Sequence, residues 1–205
     1  MKKIMFNDKF DLTQAVLDGR KTMTRRAISE KLWDRWTDYD DFCNSVSVEN
    51  IPTKRQYYDE KDFFLNNAPY KLGEVVAIAQ SYESVYHECG LETMDMLVSS
   101  LKYNAGWTNK MFVKADLMPH HIEITGIKVE RLQDISDEDC LKEGIIHAYT
   151  DNNGTKIYHT PHTKRGYLST DVAQQAFADL IDKVSGKGTW EENPFVWVYE
   201  FALWD

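Results

Sequence analysis

The chain has 205 residues and a formal net charge of −9 at pH 7, with 42% hydrophobic and 13% aromatic residues. This length supports one well-formed hydrophobic core, and the composition is that of a folded globular protein rather than a disordered one. The acidic balance excludes a protein that coats long duplex nucleic acid, because such binding needs a basic face that neutralises phosphates. It leaves room for a local basic pocket that takes a nucleoside or a few nucleotides.

The cysteines and the apolar runs exclude further classes of protein. Cys43, Cys89 and Cys140 are far apart and form no CxxC motif, so we expect neither a disulfide framework nor a structural zinc site. His159 and His162 have the spacing of metal ligands, but no third ligand is evident, and we expect no metal and no cofactor. No apolar run approaches the roughly 20 residues that span a bilayer, and the first residues lack the apolar stretch of a signal peptide. We therefore expect a cytoplasmic protein with no membrane partner.

The first predicted elements lead into a basic turn. Residues Ile4–Phe10 alternate as a short strand, and Asp11 is placed as the N-cap of a short helix that Gly19 ends. The segment Lys21–Arg26 follows as a tight turn. Ala27–Tyr39 then has the apolar spacing of a second helix.

The middle of the chain has weaker patterns. Asp38–Pro69 is rich in Asp, Asn and Tyr and contains prolines, which predicts an insertion with little regular structure. After Gly73-Glu74, the nearly continuous apolar run Val75–Ala79 predicts a strand that is buried on both faces. We expect a helix at Leu91–Leu101 and a short strand at Lys110–Lys114.

The clearest strand pattern is His121–Leu132. Gly126 shifts its alternation by one residue, which is typical of a β-bulge that bends a strand at a barrel corner. Ser136 is placed as the cap of a short helix that runs through Glu143. Gly144 then ends this helix.

The elements predicted after Gly144 complete a single domain over residues 1–205. Thr150–Gly166 is predicted as a polar loop, with Asn152-Asn153-Gly154 as a hairpin tip. An amphipathic helix at Thr170–Val184 and an alternating strand at Pro194–Trp204 follow. Short strands separated by helices, with one bulged corner, predict a mainly β fold of the α+β class, in which a small barrel is covered by peripheral helices.

The segment Gly19–Arg26 (GRKTMTRR) concentrates the residues that carry chemistry. It supplies four cations and two hydroxyls directly after a helix end. A bend near Gly19–Thr22 is needed for Lys21 and Thr24 to act together, because they would point to opposite faces of a straight strand. By themselves these residues fit a solvated basic turn or a binding cleft.

Three segments of the chain resemble the ASCH domain family, which is related to the PUA domain. GRKTMTRR has the Gly-x-Lys-x-x-x-x-Arg spacing of that family at Gly19, Lys21 and Arg26. The segment Met118–Ile145, with its VERLQDIS and EGI runs, and the ending GKGTWEENPFVWVYEF are similar to a longer, phage- and prophage-associated branch. The resemblance fails mainly over the predicted insertion and the predicted polar loop.

This resemblance implies a PUA-like β-barrel with a cleft for RNA or a modified nucleoside. A small bacterial branch with the motif Gly-Arg-Lys-Thr-x-Thr-x-Arg hydrolyses N4-acetylcytidine, and its catalytic lysine, threonine and glutamate correspond to Lys21, Thr24 and Glu143. In such a site Lys21 activates the Thr24 hydroxyl as nucleophile, and Glu143 orients Lys21 or protonates the leaving amine. Arg26 or backbone N–H groups then hold the oxyanion.

Further residues are candidates for ligand contact. They are Arg20, Thr22, Arg25, Arg26, Tyr82, Trp107 and Lys110. Where the longer branch has an Arg-Glu-Thr-Trp-like run, this chain has Ala79-Gln80-Ser81-Tyr82, so the charged pair is absent and Tyr82 retains a ring that stacks on a base. Trp107 and Lys110 fit either a base-stacking edge or a core tryptophan beside a solvated lysine.

Three functions remain open at this point. The first is binding of RNA or a modified nucleoside, the second is deacylation of an N4-acetylcytidine-type nucleoside, and the third is a phage-derived accessory role that modulates host RNA or translation. Binding is favoured, because the hydrolase branch is a much shorter domain. The sequence does not indicate an oligomeric state.

Overall fold

The described fold combines two sheets with seven α-helices. A computed structural model describes residues 1–46, 56–57, 59–88, 101–161 and 168–204. Over these residues the chain forms a five-stranded sheet and a three-stranded sheet, and strand pairing closes neither into a barrel. The fold is therefore α+β, as expected. Helices cover more of these residues than strands do, so the emphasis on β structure was wrong.

The elements are numbered in chain order. The helices are α1 (Leu12–Leu17), α2 (Glu30–Ser45), α3 (Glu60–Asn66), α4 (Tyr82–Glu88), α5 (Asp137–Lys142), α6 (Ala173–Ser185) and α7 (Thr189–Glu192). The strands are β1 (Lys3–Ile4), β2 (Met23–Ala27), β3 (Val75–Ile78), β4 (His121–Arg131), β5 (Ile146–Thr150), β6 (Lys156–His159), β7 (Ser169–Thr170) and β8 (Phe195–Leu203). Short 3-10 turns lie at Asp8–Phe10, Lys110–Phe112, Ala115–Leu117 and Leu132–Asp134.

The five-stranded sheet has the order β1-β3-β4-β8-β2, with β1 parallel to β3 and the other pairs antiparallel. The long central strands β4 and β8 shift register between Ile124 and Gly126, which confirms the predicted bulge. At the two edges of the sheet, Arg26 on β2 donates from Nη2 to the carbonyl of Met5 at 2.5 Å, just after β1. This side-chain contact links β2 to the residues that follow β1.

Strand β3 is buried on both faces, as its apolar run predicts. Val76 and Ile78 point into the main core, and Ala77 joins a second, smaller cluster on the opposite face. Tyr82 and Met118 belong to that smaller cluster. A strand with a core on each face has no room for alternating polar residues.

The predicted strand at Ile4–Phe10 is much shorter in the structure. Only Lys3–Ile4 pairs with β3, and Asn7 then caps a 3-10 turn by accepting from the Lys9 N–H at 3.0 Å. Asp11 does occupy the N-cap position of α1, but with φ of 57° and no side-chain hydrogen bond. The polar residues after β1 therefore serve a turn rather than a strand.

The segment Asp38–Pro69 is not an irregular insertion over its described residues. Helix α2 begins later than predicted and extends to Ser45, and α3 brings Phe63 and Phe64 into the main core. The rings of Trp33 and Phe64 lie 4.6 Å apart. The polar residues of both helices face solvent, which makes the segment resemble a loop in sequence. Residues 47–55 and 58 lie outside the described residues.

Two further segments differ from their predictions. Lys110–Phe112 is a 3-10 turn rather than part of a strand, and the Lys3 ammonium binds the carbonyl of Val113 at 2.7 Å. The predicted polar loop contains strand β6, which pairs with β5 just before it, and the tip of this hairpin is where expected, with Gly154 at φ of 84°. The predicted helix Leu91–Leu101 lies, apart from its last residue, outside the described residues.

No helix within the described ranges is both long and apolar enough to cross a membrane.

Candidate functional site

A cavity of about 270 Å³ lies between β2, the residues that follow β1, and helix α6. Its polar side is lined by Lys21, Thr24, Arg25, Arg26 and Glu143. Its apolar side is lined by Met5, Phe6, Leu12, Phe177, Leu180, Ile181 and Val184. A concave site with an apolar wall and a few convergent polar groups is the usual form of a small-ligand site.

The turn that carries Lys21 is shorter than predicted. Gly19 has φ of 71°, a conformation that costs glycine little, and the Lys21 N–H donates to the Ala15 carbonyl at 2.8 Å. The chain then enters β2, where Thr24 pairs with Tyr199 of β8. The bend therefore lies within Gly19–Thr22, as the chemistry requires, and the residues from Met23 onward are strand.

Helix α5 places Glu143 at the same cavity. Ser136 caps it as predicted, accepting from the Asp139 N–H at 3.1 Å. Glu143 is the C-cap, and Gly144 leaves the helix at φ of 106°. The Thr22 N–H donates to the carbonyl of Lys142 at 3.0 Å, so the end of α5 is joined directly to the turn after Gly19.

Lys21 and Glu143 form a buried ion pair. The Lys21 ammonium lies 2.7 Å from Glu143 Oε2, 2.7 Å from the Glu143 carbonyl and 2.8 Å from the Met23 carbonyl, and its side chain is 2% exposed. Three acceptors around one nitrogen match the three donors of a protonated lysine. Burial lowers the pKa of Lys21, and the negative charge of Glu143 offsets only part of that effect.

Arg25 is bound to carboxylates on both of its terminal nitrogens. Its Nη1 lies 3.2 Å from Glu143 Oε1, and its Nη2 lies 2.6 Å from Glu130 Oε1 and 3.2 Å from Asp139 Oδ2. Burial works against its charge, but Glu143 and Glu130 more than compensate, and the pKa of Arg25 is raised. Only 1% of its side chain is exposed, and its terminal nitrogens meet carboxylates at the edge of the cavity.

Thr24 and Arg26 keep polar atoms free at the cavity. The Thr24 side chain is buried, and its hydroxyl forms no hydrogen bond to any described residue, Lys21 included. Arg26 binds Met5 through Nη2, while its buried Nε, like that of Arg25, has no partner within the described part of the chain. A ligand oxygen in the cavity would therefore find donors that the fold leaves unused.

Two candidate contacts in the basic motif lie away from the cavity. The Arg20 guanidinium is 46% exposed and pairs with Asp18 at 2.8 Å. Thr22 is half-buried, and its backbone joins β8 through the Phe201 N–H at 2.9 Å. Neither residue lines the cavity. The residues of the motif that do line it are Lys21, Thr24, Arg25 and Arg26.

The structure does not bring the three later candidates to the cavity either. Tyr82 is buried in the smaller cluster, where its hydroxyl accepts from the Lys114 N–H at 2.9 Å. Trp107 packs on the same cluster, and Lys110 binds Asp8 at 2.7 Å. Their partners are distant in sequence, so a local pattern does not distinguish these packing roles from ligand contact.

Sequence reasoning missed Glu130, Asp139 and the wall formed by α6. Asp139 lies four residues before Glu143, which places both on one face of α5. Residues Phe177, Leu180, Ile181 and Val184 have the helical spacing of one apolar face, and Val184 on that face is 37% exposed. The spacing indicates an apolar face but not what covers it.

No group of three or more potential ligands that would hold a metal is found in the described ranges, and His162 lies outside them.

Comparisons of the chain with protein-family models, with curated proteins and with solved structures found no match.

Proposed function

We propose that this chain is an ASCH-type, PUA-like protein that binds a modified pyrimidine nucleoside, free or within RNA, in the cavity beside β2. The observation that carries the proposal is the meeting of Lys21, Thr24 and Glu143 at one cavity, although Glu143 is more than 100 residues away in sequence. The approach of β2 to Met5 supports a barrel-like curvature of the sheet. Binding needs no change in the protonation of any of these groups.

The size and lining of the cavity support a single small ligand. A volume of about 270 Å³ lies near the lower end of small-molecule sites, so it suits one nucleoside rather than a longer strand. A base packs against the aliphatic side chains of Leu180 and Ile181. An acyl carbonyl on the base accepts hydrogen bonds from the Thr24 hydroxyl and from Arg26, whose Nε binds no described residue.

Deacylation of the bound nucleoside is the second candidate function, and the unpartnered hydroxyl of Thr24 favours it. In this reaction Lys21 first gives a proton to Glu143, which lies 2.7 Å away, and the neutral amine then takes the proton of Thr24. The Thr24 oxygen attacks the acyl carbon, the amine leaves with a proton from Lys21, and water hydrolyses the resulting ester. The direct contacts of Lys21 all go to other oxygens, so binding ranks first.

The test combines binding and turnover on purified protein. We expect N4-acetylcytidine to bind more tightly than cytidine, and Thr24→Ala to weaken its binding by about 2- to 10-fold, the value of one hydrogen bond. Arg35→Met, on the exposed side of α2, is the control and should bind as the wild type does. Calorimetry measures the affinity, and chromatography measures the release of cytidine.

The outcomes separate the two candidates. Release of cytidine that Thr24→Ala abolishes, while binding persists, establishes deacylation. Binding without release leaves a binding protein. If N4-acetylcytidine neither binds nor reacts, the assignment of this cavity to modified pyrimidines is wrong.

A further inference from the structure

We infer that Arg25 is a positioning residue, which anchors Glu143 to Glu130 and Asp139 so that Glu143 holds Lys21 at the edge of the cavity. The inference rests on the proposed function of the cavity and adds a role for a residue that the motif alone marks as a ligand contact. It follows from three features of the geometry: the contact of the two Glu143 oxygens with different cations, the carboxylates that hold Arg25, and the occupation of both its terminal nitrogens.

The two carboxylate oxygens of Glu143 bind two different cations. Its Oε1 accepts from Arg25 Nη1 at 3.2 Å, and its Oε2 accepts from Lys21 at 2.7 Å. Rotation of the carboxylate would break at least one of these bonds. The position of the Lys21 ammonium is therefore coupled to that of the Arg25 guanidinium through a single rigid group.

The Nη2 of Arg25 is bound by carboxylates from two different elements. Glu130 on β4 lies 2.6 Å and Asp139 on α5 lies 3.2 Å from Nη2. Strand β8 separates β2 from β4 in the sheet, so the Arg25 side chain spans the face of β8 to reach Glu130. Lys128 and Lys142 cover the outer side of these carboxylates. A planar guanidinium suits such a bridge, because its donors are fixed in direction.

The terminal nitrogens of Arg25 are not open to a ligand. Both are already bound to carboxylates, and only 1% of the side chain is exposed. The Phe177 ring lies 6.0 Å from the guanidinium carbon. The Nε of Arg25 binds no described residue, but it is itself buried. We therefore expect Arg25 to act on the ligand through Glu143 and Lys21.

The test compares Arg25→Met and Arg25→Lys with Arg35→Met, which makes the same chemical change on the surface of α2. Two readouts are used: the affinity for N4-acetylcytidine, and the ¹H–¹⁵N signal of the Lys21 ammonium in ¹⁵N-lysine-labelled protein, assigned with Lys21→Met. We expect Arg25→Met to lower affinity about 10- to 100-fold, the value of a hydrogen bond to a charged group such as Lys21, and to remove the Lys21 signal as its protons exchange faster. Arg25→Lys should restore both in part, and Arg35→Met should change neither.

The readouts separate positioning from mere stability. An Arg25→Met protein that folds, keeps the Lys21 signal and binds as the wild type does overturns the inference. If Arg25→Met does not fold, Glu130→Gln decides: a smaller loss of both signal and affinity supports positioning, and no change in either overturns it. If wild-type protein does not bind N4-acetylcytidine, the proposed function fails, and the Lys21 signal alone decides whether Arg25 positions that residue.

Discussion

At the scale of single residues, the site is governed by ionisable groups that the fold removes from water. Lys21 and Glu143 are almost fully buried, and each has at least one charged partner. A buried pair of this kind is a weak source of net stability, because the loss of hydration offsets the attraction between the charges. Loss of one partner is costly, however, since it leaves a buried charge without compensation.

This asymmetry predicts the outcome of a double-mutant cycle at the pair. Glu143→Gln leaves the buried Lys21 ammonium facing a neutral amide, and we expect the free energy of unfolding to fall by roughly 3–5 kcal/mol. The double variant Lys21→Met with Glu143→Gln should recover much of that loss. Urea unfolding of the wild type, the two single variants and the double variant measures the four free energies of the cycle. A Glu143→Gln protein within about 1 kcal/mol of the wild type would contradict the burial of the pair.

The acidic cluster behind Arg25 predicts how stability depends on pH. The pKa of Asp139 lies below its ordinary value of 3.8, because hydrogen bonds from Lys142 and Arg25 outweigh the opposing effect of burial. Since its folded-state pKa is depressed, Asp139 contributes stability that is present above 3.8 and lost as the pH falls through the lower folded-state value. The free energies of unfolding of the wild type and Asp139→Asn should differ most near neutral pH and converge in acid. A difference between them that grows in acid would show that ionised Asp139 does not stabilise the fold.

At the scale of elements, helix α6 decides what the cavity accepts. Leu180 and Ile181 lie on the face turned toward β2, while Lys183 lies on the exposed face. Local spacing identifies the apolar face but does not reveal that part of it borders a cavity, because a core and a ligand pocket require the same side chains.

This arrangement predicts a substitution that blocks the site and leaves the fold intact. Ile181→Trp places an indole in the cavity, and we expect the affinity for N4-acetylcytidine to fall roughly 10- to 100-fold, the effect of overpacking a filled site. Lys183→Trp, two residues away on the exposed face, is the matched control. Equal affinity for both variants would show that the ligand does not occupy this cavity.

The elements also show how far local pattern predicts structure. The spans of β3, β4, α5, α6 and β8 agree with their sequence patterns to within a few residues. Each pattern there is long or is bounded by a cap or a glycine. The strands predicted at Ile4–Phe10 and Lys110–Lys114 are in large part 3-10 turns, and lysine side chains bind backbone carbonyls in both segments. Lys3 donates to Val113, and Lys110 donates to Phe6.

At the scale of the whole molecule, a net charge of −9 surrounds a cavity that is locally basic. Of its cations, Lys21 and Arg25 are paired with carboxylates, whereas Arg26 binds the Met5 carbonyl and no carboxylate of a described residue. The cavity thus offers few contacts to a phosphate backbone.

The charge distribution predicts a weak salt dependence of RNA binding. For a short single strand that contains N4-acetylcytidine, the slope of log affinity against log salt should be no steeper than about −1.5, which corresponds to about two phosphates. Titrations between roughly 50 and 200 mM salt measure the slope, with the unmodified strand as control. A slope steeper than about −4 would indicate an extended RNA surface and contradict a single-nucleoside cavity.

The sequence by itself determined the long elements, the bulge at Gly126, the bend after Gly19 and the residue types that the site uses. These properties depend on neighbours within a few positions along the chain, where helix and strand periodicity apply. Only the tertiary structure decided that Arg25 faces carboxylates while Thr24 faces the cavity. Contacts between β2, β4 and α5 set those directions, and they join residues more than 100 positions apart.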